Sequence, residues 1–249
     1  MGRRERIIAL LTVVMAAASP AVMRADDSGL TLSAGVEEKL SKKVSLEAVA
    51  ELRSRNNFTT IDHFALGAGV KYKFTKWLKA DAGYQVLINN NREHLTLHDD
   101  GSYNNWRQSY YGVRHRFTVS LTGDVDLGRF NVSLRERWQY TYRPEQSATR
   151  YDFDNEQMEP CVVKGKGKNV LRSRLKLDYN IPHCKFSPSV SAELYTTRSL
   201  EKTKFTVGGT YMLHKHHQFE AGYQYQLHNK SVTTSPDTHH IVLGYNYKF

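Results

Sequence analysis

The sequence predicts an all-β protein, a transmembrane antiparallel up-and-down β-barrel of about 10 to 12 strands preceded by a cleaved signal peptide. Three observations support this prediction: an apolar run after a basic N-terminus, alternation of apolar and polar residues along the remainder, and a final strand that ends on an aromatic residue. Each pattern alone fits other folds. Together in one chain they favour a barrel whose strands cross a membrane.

The N-terminal segment has the parts of a secretory signal peptide. Met1 to Arg6 is basic, Ile7 to Ala18 is apolar or small without a break, and small residues follow. The apolar run is too short to span a bilayer as a helix, which needs about 20 residues. We expect residues 1–25 to be a cleaved signal peptide, with cleavage after Ala21 as the alternative, and residues 26–249 to form one barrel domain.

The charge and the hydropathy restrict the class of protein. The formal net charge is +10, and loss of the four arginines and one glutamate of the signal peptide leaves +7. For an exported chain, anionic lipid headgroups and lipopolysaccharide phosphates are the expected counter-charges, and we expect no nucleic-acid partner. A mean hydropathy of −0.58 and the absence of a second long apolar run exclude a helical membrane protein.

The alternation is clearest between Phe130 and Arg143. Large apolar residues occupy one parity, interrupted only by Glu136, and polar residues with three arginines occupy the other. One face therefore suits lipid and the other suits a wet, charged interior. A strand of a soluble sandwich would show the same period, so the repetition of the pattern carries the argument.

Eleven segments of this kind follow one another along the chain. An even number is the rule for single-chain bacterial barrels, so we expect one strand to be missed or false, with Asp26 to Leu40 as the weakest segment. The segments begin at Leu30, Val44, Phe64, Leu78, Val113, Phe130, Leu171, Val190, Phe205, Phe219 and Ile241.

The connections alternate in length. Tight ones, such as Leu40 to Lys43 and His214 to His217, fit periplasmic turns. Long polar ones, Asn89 to Arg107 and Pro144 to Lys168, fit outer loops that either carry recognition or merely cover the barrel. Aromatic residues near the strand ends fit the two interfacial girdles of a barrel.

The chain ends inside the last predicted strand. Its alternate residues are large and apolar and include Tyr245, Tyr247 and the terminal Phe249. An aromatic last residue after alternate apolar positions is typical of the signal that the outer-membrane assembly machinery recognises. We therefore predict that this machinery is a partner and that the protein is located in the cell outer membrane.

The first part of the predicted barrel domain resembles a known family. Gly35 to Leu46 leads into Glu51-Leu52-Arg53, and Asp62-His63-Phe64, Gly67 to Lys73 and Gly83-Tyr84 follow. This arrangement is similar to the domain of unknown function 2490 family of outer-membrane barrels common in Bacteroidetes. The resemblance implies a fold and a location for nearly the whole mature chain, and it brings no activity and no site residues.

A basic track is the candidate functional site. Six arginines share the lumen parity on three successive predicted strands, and guanidinium groups bind phosphate and carboxylate bidentately. The track could guide a small anionic or polar solute, or its members could pair with carboxylates such as Glu47, Glu51 and Glu193 and fill a narrow lumen. The six residues are Arg114, Arg116, Arg135, Arg137, Arg172 and Arg174.

Other chemistry has weaker support in the sequence. We find no catalytic residues, because no histidine stands in a serine or carboxylate arrangement typical of barrel enzymes. The cluster His214, His216 and His217 has no cysteine or carboxylate at ligand spacing, so we expect neither a metal nor a cofactor. Cys161 and Cys184 flank a full strand and lie too far apart for a disulfide.

The sequence therefore predicts a non-enzymatic outer-membrane barrel with a structural, binding or narrow solute-conduit role. A lipid-modifying enzyme such as a deacylase, acyltransferase or phospholipase is the alternative. It would require a histidine with a serine or carboxylate partner near the outer rim on the face that meets lipid.

Overall fold

The protein folds as a closed β-barrel with a second, smaller sheet. The computed structural model describes residues 27–233 and 235–249, so the predicted signal peptide lies outside the described residues. In chain order the strands are β1 (Asp27–Lys39), β2 (Val44–Arg55), β3 (Thr60–Lys73), β4 (Leu78–Asn91), β5 (His94–Leu97), β6 (Tyr103–Arg107), β7 (Tyr110–Leu127), β8 (Phe130–Arg143), β9 (Gln146–Asp152), β10 (Gln157–Val163), β11 (Lys166–Tyr179), β12 (Phe186–Thr196), β13 (Leu200–Leu213), β14 (His217–His228) and β15 (Thr238–Lys248).

Eleven of these strands close the barrel in the order β1-β15-β14-β13-β12-β11-β8-β7-β4-β3-β2. The expectation of an even number was wrong. All neighbours pair antiparallel except β1 and β15, which run parallel, with Leu32 opposite Leu243. An odd number of alternating strands leaves the first and last strands in the same direction, so a parallel pair is the only way to close the sheet.

The barrel has its apolar residues outside and its polar residues inside. The predicted parity is confirmed: Leu66, Leu134 and Leu175 are each more than half exposed, as are many other members of the apolar face. The buried polar side chains include Ser120, Gln139, Glu193 and Gln224, whereas buried apolar side chains are few. This inverted distribution suits a wall between lipid and a polar lumen.

The two ends of the barrel differ. At the turn end, short connections join β1 to β2, β3 to β4, β7 to β8, β11 to β12 and β13 to β14. Gly128 has a φ of +65° in the connection after β7, a conformation that favours glycine. The opposite, loop end carries the two long connections, although β2–β3 and β12–β13 are joined there by short ones.

The two long connections are not irregular loops, which corrects the prediction. They contain β5, β6, β9 and β10, which form a four-stranded sheet in the order β10-β9-β6-β5. The pair His94–Arg107 lies three steps beyond Asn91–Tyr110 on both strands, so β5 and β6 keep the register of β4 and β7. The strands β9 and β10 continue β8 and β11 in the same way. This outer sheet therefore extends four neighbouring barrel strands past the loop end.

Two further findings concern membrane-spanning helices and the two cysteines. Among the described residues, no helix is long and apolar enough to cross a bilayer. Cys161 on β10 and Cys184 in the β11–β12 turn are both free thiols. They lie at opposite ends of β11, which agrees with the predicted topology.

Candidate functional site in the barrel lumen

The six predicted arginines line the lumen on three neighbouring strands. Arg135 and Arg137 of β8 lie directly opposite Arg174 and Arg172 of β11. Several of their side-chain contacts pass over an intervening strand, and such contacts are possible only on the concave inner face. Like charges placed opposite each other on adjacent strands are destabilising unless counter-charges lie close. The structure supplies those counter-charges unevenly.

Glu193 of β12 is the main counter-charge. Its side chain is 1% exposed, and its Oε1 accepts from Arg135 Nη2 at 2.7 Å and from Arg172 Nη2 at 3.1 Å. Its Oε2 lies 2.9 Å from Lys204 Nζ and accepts from the Tyr195 hydroxyl at 3.1 Å. A buried carboxylate with four donors is fully satisfied, so this hub holds the four neighbouring strands β8, β11, β12 and β13 together along the inner wall of the barrel.

Asp81 of β4 forms a second, smaller centre. Arg137 donates from Nη2 to Asp81 Oδ1 at 3.1 Å and from Nε to Ser120 Oγ at 2.7 Å. Ser120 in turn donates to the same Asp81 oxygen at 3.0 Å. Arg137 is therefore neutralised separately from the Glu193 hub.

Tyr195 separates two cations on the lumen wall. The Arg172 guanidinium lies 4.6 Å and Lys202 Nζ 4.4 Å from the centre of its ring. Cation–π attraction of about 0.5–2 kcal/mol per pair lets the ring screen charges that would otherwise repel. Lys202 also donates to the neutral Gln226 at 3.0 Å, so this lysine keeps an uncompensated charge.

The remaining arginines of the track have neutral partners or weak ones. Arg114 donates to Asn91 at 2.5 Å, and Arg116 donates to Gln85 at 3.4 Å. Arg174 forms no ion pair of 4 Å or less with a described carboxylate. The middle of the lumen therefore keeps a surplus of positive charge after its ion pairs have formed.

Near the two ends of the lumen, positive charges have carboxylates close to them. At the turn end, Lys71 lies 3.1 Å from Glu37 and 2.7 Å from Glu47. At the loop end, His63 is held between Asp62 and Glu51, at 3.1 Å and 2.9 Å. The positive surplus is thus a property of the middle of the lumen.

Sequence parity located most of this site and placed Gln139 on the interior face beside the arginines, but it missed three members. These are Lys202, Tyr195 and Gln85, whose side chains also line the lumen. Lys202 shares the parity of Lys204, so the alternation of β13 was sufficient to find it. The pairing of Glu193 with three cations from three strands depends on register, which the alternation does not fix.

A carboxylate stands on the lipid-facing surface in the middle of β8, where apolar residues are the rule. Glu136 occupies the apolar parity of β8 opposite Ser173 of β11, whose hydroxyl donates to it at 2.7 Å. It lies between Leu134 and Trp138, which are both exposed on that face. The hydrogen bond reduces the cost of holding this polar group against lipid.

The outer sheet has one apolar and one polar row. Leu95, Trp106, Tyr151 and Met158 lie side by side across its four strands. In the adjacent row, Arg150 of β9 pairs with Glu159 of β10. Because the Glu159 carboxylate accepts a hydrogen bond from it, the pKa of Arg150 is raised above its ordinary value.

The described residues offer no candidate metal centre. No group of three or more His, Cys, Asp or Glu side chains within 27–233 and 235–249 is arranged to hold a metal. In the predicted histidine cluster, His216 contacts the Lys248 carbonyl at 2.6 Å and His217 contacts the Tyr245 hydroxyl at 2.9 Å. Two of its three imidazoles are therefore engaged in contacts with β15.

The inverted polarity, the closed sheet and the cationic lumen define the class of a transmembrane β-barrel. Residues 30–235 match the family described as "Protein of unknown function (DUF2490)", and the chain belongs to this family. The predicted resemblance is thereby confirmed. Among curated proteins, none matches.

Two solved structures are similar to this chain in architecture. One, "NanC porin structure in rhombohedral crystal form", has 14% identity and a TM-score of 0.44, over 80% of this chain and 86% of the other. The second, "CymD monoaromatic hydrocarbon channel", has 7% identity and a TM-score of 0.42, over 77% of this chain and 66% of that chain.

Proposed function

We propose that the protein is an outer-membrane barrel that provides a narrow passage for small anionic solutes. The surplus of positive charge in the middle of the lumen is the observation that carries this proposal. Arg116, Arg174 and Lys202 face the lumen without a carboxylate within ion-pair distance among the described residues. A cationic constriction between low-dielectric walls raises the local concentration of anions and repels cations.

The apolar exterior of the barrel and the predicted signals support a location in the outer membrane. We propose that residues 1–25 direct export and that Tyr245, Tyr247 and Phe249 form the assembly signal. Phe249 is 61% exposed and its ring packs edge-on against Tyr247. Lipid and lipopolysaccharide would surround the apolar exterior.

A plugged barrel without conduction is the second candidate, and the Glu193 hub is the observation that favours it. Its four donors come from β8, β11, β12 and β13, and their side chains occupy part of the lumen. Passage of a solute would then require side chains of the hub to move. The two candidates differ in conductance.

The lipid-modifying enzyme has less support. The histidines that share the lipid-facing parity meet phenols: His115 contacts the Tyr84 hydroxyl at 2.7 Å, and His217 contacts Tyr245. The enzyme hypothesis requires a serine or carboxylate at such a position. His63 has two carboxylate partners, but its side chain is only 6% exposed and points into the lumen.

Planar-bilayer recording of the refolded protein tests the proposal. We expect small, stable conductance steps whose amplitude falls for Arg174→Glu, which changes a lumen charge without removing a partner from a carboxylate. Lys185→Glu, in the exposed turn after β11, is the matched control and should leave the steps unchanged. A folded barrel with no conductance would instead establish the plugged barrel.

A further inference from the structure

A partly open cavity of about 60 Å³ lies inside the lumen beside Arg116. Three cations, Arg116, Arg137 and Arg172, contribute to its wall, and Gln85 and Gln139 add two amides. A polar space of this size holds a few water molecules, or one group about as large as phosphate. The cavity is thus large enough for a small ion and too small for an organic molecule of drug size.

Charge balance around the cavity favours an anion. Two carboxylates also reach it, but Asp81 is engaged by Arg137 at 3.1 Å and Glu47 by Lys71 at 2.7 Å. Arg172 is held by Glu193. Arg116 is the cation without such a partner, since its one hydrogen bond is the 3.4 Å contact with Gln85 and its buried Nε has none.

The amides are oriented to assist. Gln85 and Gln139 present their oxygens to the arginines, accepting from Arg116 and Arg172 at 3.4 Å and 3.0 Å. The Gln85 NH₂ group therefore remains as a donor beside the two guanidinium groups, whereas the Gln139 NH₂ group gives one of its hydrogens to Thr141 Oγ1 at 3.3 Å and keeps the other. Planar guanidinium groups with neighbouring N–H donors match the oxygens of phosphate, sulfate and carboxylate.

Other charges act on the same level of the lumen. Arg172 and Arg53 repel the Arg116 guanidinium and Glu51 attracts it, while Arg53 also acts on Lys202. Glu51 is itself held by His63 at 2.9 Å and lies 3.6 Å from Arg53, so the four cations, which come from four strands, outnumber this carboxylate. In a site with little water, such fields are stronger than at the protein surface.

We propose that this cavity is a binding site for a small oxoanion, with Arg116 as its principal ligand and Arg172, Gln85 and Gln139 as supporting donors. Inorganic phosphate and sulfate are the simplest members of this ligand class. The inference deepens the proposed passage by naming the anion that it selects. It rests on the same cationic lumen, but it concerns equilibrium binding and does not require conduction.

Isothermal titration of inorganic phosphate into the full refolded chain in detergent, at low ionic strength, tests the inference. We expect saturable binding to one site, reduced about tenfold or more by Arg116→Gln, because the substitution removes the charge-assisted hydrogen bonds of the principal ligand. Arg129→Gln, in the exposed β7–β8 turn, is the matched control and should bind like the wild type. Gln85→Leu keeps every charge and should also weaken binding.

The outcomes separate this inference from the proposed function. Equal phosphate affinity in the wild type and in both cavity variants, or no binding by the folded wild type, overturns the site. Phosphate binding without conductance overturns only the passage, and conductance without phosphate binding overturns only the site. Electrophoretic migration of the unheated protein shows which variants have folded, and Gln85→Leu serves if Arg116→Gln does not fold.

Discussion

Nη2 of Arg135 lies 2.7 Å from Oε1 of Glu193, and the two residues belong to strands separated by β11. This contact crosses the inner surface of the sheet and is joined by Arg172 and Lys204 on the same carboxylate. A carboxylate that is 1% exposed has no water to replace lost partners. This part of the lumen wall is therefore held together by a buried network of charges.

Removal of the Glu193 charge should destabilise the barrel strongly. Glu193→Gln leaves Arg135, Arg172 and Lys204 close together without their counter-charge, and loss of one partner from a buried ion pair costs about 3–5 kcal/mol. Denaturant unfolding in lipid vesicles measures the change in free energy. Glu159→Gln, in the more exposed pair with Arg150, should have a much smaller effect, because water replaces the lost partner there. Equal effects of the two substitutions would contradict the hub.

Removal of the lipid-facing carboxylate of Glu136 should stabilise the barrel. Glu136→Leu replaces a polar group that meets lipid, and we expect the free energy of unfolding to rise by about 1 kcal/mol. Glu145→Leu, in the exposed connection before β9, should leave it unchanged. A loss of stability in Glu136→Leu would show that this face of β8 is not in contact with lipid.

The parallel pairing of β1 with β15 can be tested by cross-linking. Leu32 and Leu243 are partners in the register, so cysteines at these positions should form a disulfide, which needs Cα atoms about 5.5 Å apart. Cys161→Ser and Cys184→Ser remove the native thiols. Cysteines at Leu30 and Leu243 are offset by two residues and should react far less. Preferential reaction of the offset pair would exclude this register.

The outer sheet should loosen locally in acid. Backbone N–H groups of Asn155 and Asp154, with the Asn155 side chain, donate to Asp152 and hold its pKa below the ordinary value. A depressed pKa means that the stabilisation is complete above the unfolded-state pKa and is lost as pH falls through the folded one. The NMR shift of the Asn155 amide should therefore move as the pH falls below about 4, the ordinary range of an aspartate. Asp152→Asn should abolish that titration, and a titration that persists would assign it to another group.

Strand parity was predictable from sequence because it depends only on the alternation of residues along each strand. The outward positions of Phe130, Leu134 and Trp138 followed from that pattern alone. Closure was not predictable, since β1 could pair with β15 in either direction until the strand number was known. The outer sheet was missed because its short strands mix aromatic, charged and small residues without a sustained period.

The candidate site was predictable in composition and not in connectivity. Parity placed Arg135, Arg172 and Glu193 in the lumen, but their convergence depends on the stagger between β8, β11 and β12. Arg116 looked equivalent to the other arginines of the track. Only the structure shows that it lacks a carboxylate partner and borders a cavity.

The sign of ion selectivity tests the cationic passage most directly. The refolded wild-type protein would be placed in a planar bilayer between unequal KCl solutions, and the reversal potential measured. A reversal potential toward that of chloride is the predicted result, because uncompensated Arg116, Arg174 and Lys202 face the lumen. A reversal potential toward that of potassium would contradict the cationic passage.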